Sequence, residues 1–189
     1  MKLFSGILFN FKDSLKGMKK MRTLAACAML LALAVVLDYF ASIYITPTIK
    51  ISSSFIAIAA CGMLFGPVPA MICGGLEDVL MWLIKPAGMF FPGYTLSSVL
   101  AGLIYGLCLY RRSGKKLYIM APVSKLLVNL FVNILLNTYW SVLFTGKAYV
   151  VLLSSRVIKN IAALPIESAI LIAVMVFLNK NRSKLTSRQ

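Results

Sequence analysis

Two basic residues stand inside an apolar stretch in the last third of the chain. Arg156 and Lys159 are three residues apart, so on a helix they share a face. A pair of cations in a membrane segment is costly and usually persists because an anionic group meets it. Asn137 and Trp140, at the end of the preceding apolar run, add an amide and an indole. Together these side chains favour binding of an anionic, ring-containing solute.

Adjacent aromatic residues form a second group of candidates. Phe90 and Phe91 lie in the loop 85–93, which is bounded by prolines and glycines, and Tyr94 follows it. Paired aromatic rings in a stiff loop can close over a flat ligand. They can also serve only as interfacial belt residues, and the sequence leaves both interpretations open.

Three acidic residues also fall within apolar stretches. Glu77 and Asp78 are adjacent, and Glu167 lies in the last apolar segment. Carboxylates in a membrane segment must face protein or water rather than lipid. They could pair with the two cations, contact a ligand, or donate hydrogen bonds while neutral. The sequence does not choose among these roles.

The composition indicates the class of protein that positions these side chains. The chain has 189 residues, of which 60% are hydrophobic, and its mean hydropathy is +0.89. These values are typical of an all-α, polytopic membrane protein, and no two-residue alternation indicates a barrel. No polar linker divides the chain, so residues 1–189 are predicted to form a single integral-membrane domain.

Charge and cysteine usage argue against several other functions. The net charge is +15, but the bases lie between apolar segments and at the chain ends, which indicates topology rather than nucleic-acid binding. The sequence has no histidine, and this removes the commonest general base and metal ligand. The four cysteines stand singly, so we expect packing residues and no metal site.

Six membrane-spanning helices are expected. In chain order they cover about 23–45, two short spans within 51–84, then about 94–110, 118–144 and 153–178. A Gly-Pro turn at 66–69 separates the two short spans. An amphipathic basic segment, residues 1–20, precedes the bundle. It could lie on an anionic membrane surface or form a frayed cytoplasmic tail, and the sequence leaves both interpretations open. With both termini cytoplasmic, 14 Lys and Arg residues fall inside and 3 in outer loops, as the positive-inside rule requires.

Two side-chain patterns constrain how the spans pack. One polar stripe recurs every four residues along the fifth span: Lys125, Asn129, Asn133 and Asn137. This stripe should face the bundle interior, because lipid offers amides no partner. In the first span, Ala28 and Ala32 form a small-xxx-small face that another helix can approach closely. That helix could belong to the same bundle or to a partner protein.

Three motifs resemble those of a known family. They are FFPGYTLSS at 90–98, LNTYW at 136–140 and RVIKNIAALPIE at 156–167. They are similar to motifs in the substrate-binding S components of energy-coupling factor (ECF) vitamin transporters, and in particular to the folate-specific branch. The more general features of S components, namely chain length, six spans and an alanine-rich first span, extend over nearly the whole chain.

The resemblance implies a non-catalytic subunit of a modular importer in the cell membrane. Such a subunit captures folate from outside and delivers it through a transmembrane T component, driven by two cytosolic ATPases. The family's AxxxA motif for docking on the T component matches Ala28 and Ala32. This chain has no Walker A sequence, so we expect ATP only on the partner subunits and no cofactor here.

The resemblance also implies a site for the vitamin. The pterin ring is expected among residues with aromatic or amide side chains: Phe90, Phe91, Tyr94, Asn137 and Trp140. Charge assigns the glutamate carboxylates of folate to Arg156 and Lys159. Glu77, Asp78 and Glu167 could instead meet the hydrogen-bond donors of the pterin.

Three alternatives follow from the same residues. An S component for riboflavin or biotin keeps the class and changes the cargo, whereas cationic thiamine is disfavoured by the two bases. A membrane-embedded enzyme would use Glu77 and Asp78 as acid and base, but the absence of histidine argues against it. A stand-alone secondary transporter usually has a two-fold sequence repeat, which we do not find between 23–84 and 94–178.

Overall fold

Eight α-helices, one π-helix and one short hairpin make up the described part of the chain, which comprises residues 2–46, 49–86, 89–146 and 149–186 of a computed structural model. In order, the elements are α1 (Lys2–Met18), α2 (Met21–Ala41), β1 (Ile43–Thr46), β2 (Ile49–Ile51), α3 (Phe55–Phe65), α4 (Pro67–Ile84), α5 (Pro92–Leu109), α6 (Lys115–Leu127), the π-helix (Val128–Leu136), α7 (Asn137–Thr145) and α8 (Tyr149–Thr186).

Five helical stretches of the described chain are long and apolar enough to cross a membrane. They are Met21–Ala41, Pro67–Ile84, Pro92–Leu109, Lys115–Leu143 and Tyr149–Asn181. The predicted helical membrane bundle is therefore confirmed. Helix α3 has 11 residues and is only about 16 Å long, so it is too short to span a bilayer core by itself.

Helix α3 lies at the centre of the bundle. Its residues from Ala57 to Met63 are buried, and it packs against α2, α4, α5 and α8. Small side chains in this helix let the neighbouring helices approach. Around it, Tyr105 of α5 and Leu171 and Met175 of α8 are almost completely buried. A short helix can remain in an apolar environment when its neighbours shelter both of its ends.

The turn between α3 and α4 lies where the sequence predicted it. Gly66 has φ +96° and ψ −173°, a conformation that side chains strongly disfavour. Pro67 then begins α4, where a missing N–H costs no hydrogen bond. Helix α4 packs tightly on α5: a Cβ atom on Gly102 would lie 2.3 Å from the carbonyl oxygen of Ala70. Glycine at this crossing therefore lets the two backbones touch.

The end of the first span differs from the prediction. Helix α2 stops at Ala41, and the chain then forms the antiparallel hairpin β1–β2, with Ile43 opposite Ile51. The expected helix to residue 45 was wrong here, because β-branched and aromatic residues favour strands. Asp38 connects the residues on either side of the hairpin, a segment from Ser42 to Ser52 that we call the hairpin region. Its carboxylate accepts hydrogen bonds from Ser42, at 2.5 Å, and from Ser52.

The fifth span is longer and less regular than predicted. Helix α6, the π-helix and α7 follow one another without a break from Lys115 to Thr145. Within this stretch the backbone N–H of Asn137 donates to the carbonyl of Val132, five residues earlier. π-Helical turns are rare and frequently lie at functional sites. Helix α8 extends beyond the predicted sixth span at both ends and continues through Pro165.

Candidate functional site

A cavity of about 370 Å³ lies among the helices. This volume is within the range of small-molecule sites. Its walls come from the ends of α2 and α4, from α3, α5 and α8, and from the α6–α7 span. The loop that precedes α5 contributes Met89, Phe90 and Phe91. The cavity therefore reaches from this loop into the middle of the bundle.

Six of the seven predicted ligand-binding residues line this cavity: Phe90, Phe91, Tyr94, Asn137, Arg156 and Lys159. They come from three separate parts of the sequence. The seventh residue, Trp140, is not part of the lining. Its ring lies behind Phe91, with 5.7 Å between the ring centroids, and therefore supports that phenyl ring.

Aromatic rings form a continuous group on one side of the cavity. Phe90 packs against Trp82, with centroids 5.2 Å apart, and Phe91 packs edge-on against Tyr94 at 5.9 Å. Spacings of this kind are typical of stabilising aromatic pairs. The indole Nε1 of Trp140 and the Oδ1 of Asn137 are buried and have no hydrogen-bond partner within the described chain. Buried polar atoms of this kind usually have a partner, which a bound molecule can provide.

Arg156 is held by a buried hydroxyl. Its Nη2 donates to Oγ of Ser141 at 2.7 Å, and its Nη1 donates to the carbonyl of Asn133 at 3.4 Å. The Ser141 hydroxyl itself donates to the carbonyl of Asn137 at 2.8 Å, so it is the acceptor for Tyr94 Oη, also at 2.8 Å. This network joins α5, α7 and α8. It orients the guanidinium through uncharged acceptors.

The cavity also collects most of the carboxylates of the protein. Of the five acidic residues in the sequence, four line the cavity: Asp38, Glu77, Asp78 and Glu167. Asp78 accepts a hydrogen bond from Thr95 at 2.7 Å, and Asp38 binds the serines of the hairpin region. The sequence left the roles of Glu77, Asp78 and Glu167 open. Their position gives the cavity both positive and negative groups.

One pair of opposite charges is fully enclosed. Lys125 Nζ lies 3.2 Å from Oε2 of Glu167, and these residues are 3% and 7% exposed. The ammonium also lies 3.6 Å from the centroid of the Phe55 ring. Asn129 Nδ2 donates to the same Glu167 oxygen at 3.5 Å. Breaking such a pair would leave an uncompensated charge in an apolar region.

The predicted polar stripe does face the interior. Asn133 donates to Asn129 at 2.8 Å and to Oδ1 of Asn160 at 3.5 Å. Asn160 in turn donates to the carbonyl of Arg156 at 2.8 Å. These amides therefore connect the π-helix to α8, close to the cations of the cavity.

Several residues of this site were not identified in the sequence. Ser141 and Asn160 are polar side chains within apolar spans, and that was the available signal. Tyr105 is 1% exposed, lines the cavity, and has a hydroxyl without a hydrogen-bond partner among the described residues. Trp82 lies one helical turn after Asp78. Neither aromatic residue differs, in sequence alone, from an ordinary core residue.

Three cysteines that stand apart in the sequence meet in the structure. The Sγ atom of Cys61 lies 3.9 Å from that of Cys27 and 3.6 Å from that of Cys73. All three are free thiols. The described residues contain no group of three or more His, Cys, Asp or Glu side chains arranged to hold a metal ion.

The predicted docking residues lie on a different surface from the cavity. Ala28 and Ala32 are exposed on α2. Next to them Met21 and Met29 are 82% and 74% exposed. This face is apolar, and no other residue that the structure describes covers it. Small residues between large apolar ones suit close packing of another membrane helix.

Comparisons with known proteins show to which family the chain is similar. A model of the family described as "ECF transporter, substrate-specific component" matches residues 22–175. The chain is 36% identical over 154 residues to the folate transporter FolT of Clostridium novyi, covering 82% of this chain and 88% of that protein. It is 30% identical over 154 residues to FolT of Leuconostoc mesenteroides, covering 79% and 82%.

A solved structure has the same fold. It is the crystal structure of FolT bound with folic acid, which superimposes with a TM-score of 0.75 at 32% sequence identity. The match covers 82% of this chain and 93% of that protein.

Proposed function

We propose, from the premise that this chain belongs to the ECF transporter substrate-specific components, that it is a folate-binding subunit of an ECF-type importer. The observation that carries this proposal is the cavity of about 370 Å³, which combines aromatic rings, the cationic side chains of Arg156 and Lys159, and carboxylates in one space. Folate has a flat pterin with hydrogen-bond donors, and a glutamate with two carboxylates. The relatives named as folate transporters support the same ligand.

The pterin fits the aromatic side of the cavity. Phe90, Phe91 and Tyr94 offer ring faces and edges there, and Trp140 holds Phe91 in place. The Oδ1 atom of Asn137 is a buried acceptor that can receive a hydrogen bond from the pterin. Stacking and amide hydrogen bonds are general means of recognising such heteroaromatic rings.

The glutamate carboxylates fit the cations. Arg156 and Lys159 lie one turn apart on α8 and both line the cavity. Because Arg156 is oriented by Ser141, its fork of donors is prepared for a carboxylate. If folate bound in the opposite orientation, its pterin would donate hydrogen bonds to Glu77 or Glu167. Binding of a pterin that lacks the glutamate distinguishes the two orientations.

The membrane topology is part of the proposal. We assign six spans, of which α3 is the short one, and place both termini in the cytoplasm at the plasma membrane. The strong excess of Lys and Arg in the segments that this topology places inside supports it. The aromatic loop before α5 then faces outward, so the cavity receives its ligand from outside.

The partners follow from the family. A transmembrane T component would dock on the uncovered α2 face around Ala28 and Ala32. Two cytosolic ATPases would supply the energy, and this chain would carry out no catalysis. The physical support is that the docking face and the cavity lie on separate surfaces, so a ligand and a partner can be bound at the same time.

Equilibrium binding of folate to the purified chain in detergent tests the ligand directly. The two tryptophans of the chain, Trp82 and Trp140, lie at or next to the cavity, so folate should quench their fluorescence. We expect saturable one-to-one binding without ATP, and much weaker binding of riboflavin and biotin. Tight binding of either of those vitamins instead would keep the family and reject folate. Chemical conversion of the ligand by the chain alone would reject a non-catalytic subunit.

A further inference from the structure

Helix α1 (Lys2–Met18) lies outside the part of the chain that the family accounts for. The family match begins at residue 22, whereas α1 is packed against the bundle and contacts α2, α3 and α4. A function of this helix therefore goes beyond folate binding and partner docking. Two contacts that attach α1 to the bundle, and one exposed basic surface, indicate its role.

The first attachment is made by Ser14. This residue is 1% exposed, and its hydroxyl donates to the carbonyl of Phe65 at 2.9 Å. The same oxygen accepts the N–H of Val68 at 3.3 Å. One side chain thus caps the last turn of α3 and the first turn of α4, where backbone groups lack helical partners. A Cβ atom on Gly66 would lie 2.7 Å from the Ser14 oxygen, so α1 sits directly on this turn.

The second attachment is made by Asp13. Its Oδ2 accepts a hydrogen bond from the Tyr110 hydroxyl at 2.6 Å and lies 3.1 Å from Nη2 of Arg111. Burial, and then the hydrogen bond to the Asp13 carboxylate, raise the pKa of Tyr110, so the phenol remains protonated and continues to donate. Asp13 therefore fastens α1 to the segment after α5.

The exposed side of the second half of α1, from Lys12 onward, is basic. Lys12 and Lys16 are one turn apart, and Lys19 and Lys20 follow the helix; all four are exposed. Leu15 is 52% exposed beside them. Charged residues next to an exposed apolar residue are typical of a helix that lies in a membrane interface.

The chain connection from Lys20 to α2 sets the depth of this basic surface in the membrane. Lys20 directly precedes α2, which is an apolar membrane-spanning helix from Met21 onward. Lys19 and Lys20 must therefore lie where the membrane begins, among the lipid headgroups. Lysines at this level attract anionic lipids. An acidic protein would instead have to approach through the headgroup layer.

We propose that α1 binds anionic phospholipid headgroups through Lys12, Lys16, Lys19 and Lys20. Because Ser14 and Asp13 attach α1 to the folded bundle, this binding stabilises the bundle itself. A ligand that binds the native state and not the unfolded state raises the unfolding temperature. The lipid thereby holds this end of the protein in the membrane plane.

Thermal unfolding in nanodiscs tests the proposal on the full chain. The two probes are discs of phosphatidylcholine alone and discs containing added phosphatidylglycerol. We expect the anionic lipid to raise the unfolding midpoint by roughly 3–6 °C. The rise should disappear near 1 M salt, where charges are screened within about 3 Å.

A pair of matched variants locates the effect. Replacing Lys12, Lys16, Lys19 and Lys20 together by glutamine should remove the rise. The control replaces four exposed bases elsewhere: Arg112, Lys115, Lys116 and Lys180. It removes the same charge and should keep the rise. Equal loss in both variants would overturn the proposal, because it would show a general effect of net charge.

A third variant tests the attachment. The double variant Asp13→Ala, Ser14→Ala should still retain co-purified phosphatidylglycerol, measured by native mass spectrometry. It should lose the thermal rise, because lipid bound to a detached α1 would no longer stabilise the bundle. No rise in the unmodified chain would overturn lipid binding. A rise that persists in both the four-lysine variant and the unattached variant would place the lipid site elsewhere.

Discussion

Replacing Arg156 is the sharpest test of how the cavity recognises its ligand. Arg156 is 8% exposed, so its charge acts where water is largely excluded. Truncating one partner of a desolvated, hydrogen-bonded charge pair costs about 2–5 kcal/mol. Arg156→Ala should therefore weaken folate binding by roughly 30- to 5,000-fold. Arg156→Lys should recover only part of this loss, because an ammonium lacks the planar fork of donors.

Calorimetry with two ligands separates a direct contact from a structural role. If Arg156 binds the glutamate carboxylates, affinity for folate should fall far more than affinity for an uncharged pterin without the glutamate. Ser141→Ala, which removes the hydroxyl that orients the guanidinium, should weaken folate binding by about 1.5–3 kcal/mol. The matched control is Lys85→Ala, because Lys85 is an exposed cation outside the cavity.

Two results would refute this reasoning. Unchanged folate affinity in both Arg156→Ala and Lys159→Ala would show that the cations serve the structure of the bundle. An equal loss for folate and for the uncharged pterin would show that the variant distorts the aromatic side of the cavity. The unfolding midpoint of each variant, measured without ligand, distinguishes a lost contact from a damaged fold.

Three further predictions concern docking and stability. Ala28→Trp should leave folate affinity within about two-fold and abolish uptake in cells that contain the partner subunits; lost binding would mean that this face packs internally. Glu167→Gln leaves Lys125 charged and buried, and should lower stability by about 3–5 kcal/mol, with an unchanged unfolding midpoint as the contrary result. Gly102→Ala forces α4 and α5 apart and should cost about 1–3 kcal/mol. Its control, Gly17→Ala, has nothing within 4 Å of the new atom and should show no such loss.

Local spacing accounts for what the sequence predicted well. Apolar runs long enough to cross a bilayer located the spans, because lipid requires helices there. The three-residue separation of Arg156 and Lys159 placed both on one face of α8, and both line the cavity. The spacing of Asn129 and Asn133 likewise places both amides on one face of their helix, and this face points inward. These inferences depend on only one helix at a time.

Irregular backbone was harder to predict. The hairpin after Ala41 and the π-helix Val128–Leu136 interrupt patterns that are compatible with simple helices. In the π-helix each turn holds more residues than in an α-helix, so a repeat of four residues stays on one face. The repeat itself is equally compatible with an α-helix. A single sequence therefore does not distinguish the π-helical from the α-helical hydrogen-bond pattern.

Contacts between helices account for the residues that were missed. Ser141 matters because Arg156 and Tyr94 reach it from α8 and α5, and no sequence spacing encodes that meeting. The acidic residues are themselves a signal for the site in the sequence. Four of only five in the chain lie in or beside apolar segments, and those four line the cavity. A chain so poor in acids would not retain them there without a structural or ligand-binding role.

Helix α2 connects the cavity to the proposed docking face. Its Asp38 lines the cavity and holds Ser42 and Ser52 at the two ends of the hairpin region. Ala28, about 15 Å away along the same helix, lies on the uncovered face. Any free energy by which bound folate changes docking at Ala28 must change folate affinity equally when the partner docks. The ratio of folate affinities measured with and without the partner therefore gives the coupling free energy. A variant of Asp38 that alters this ratio, but leaves folate affinity of the isolated chain unchanged, would locate the coupling in α2.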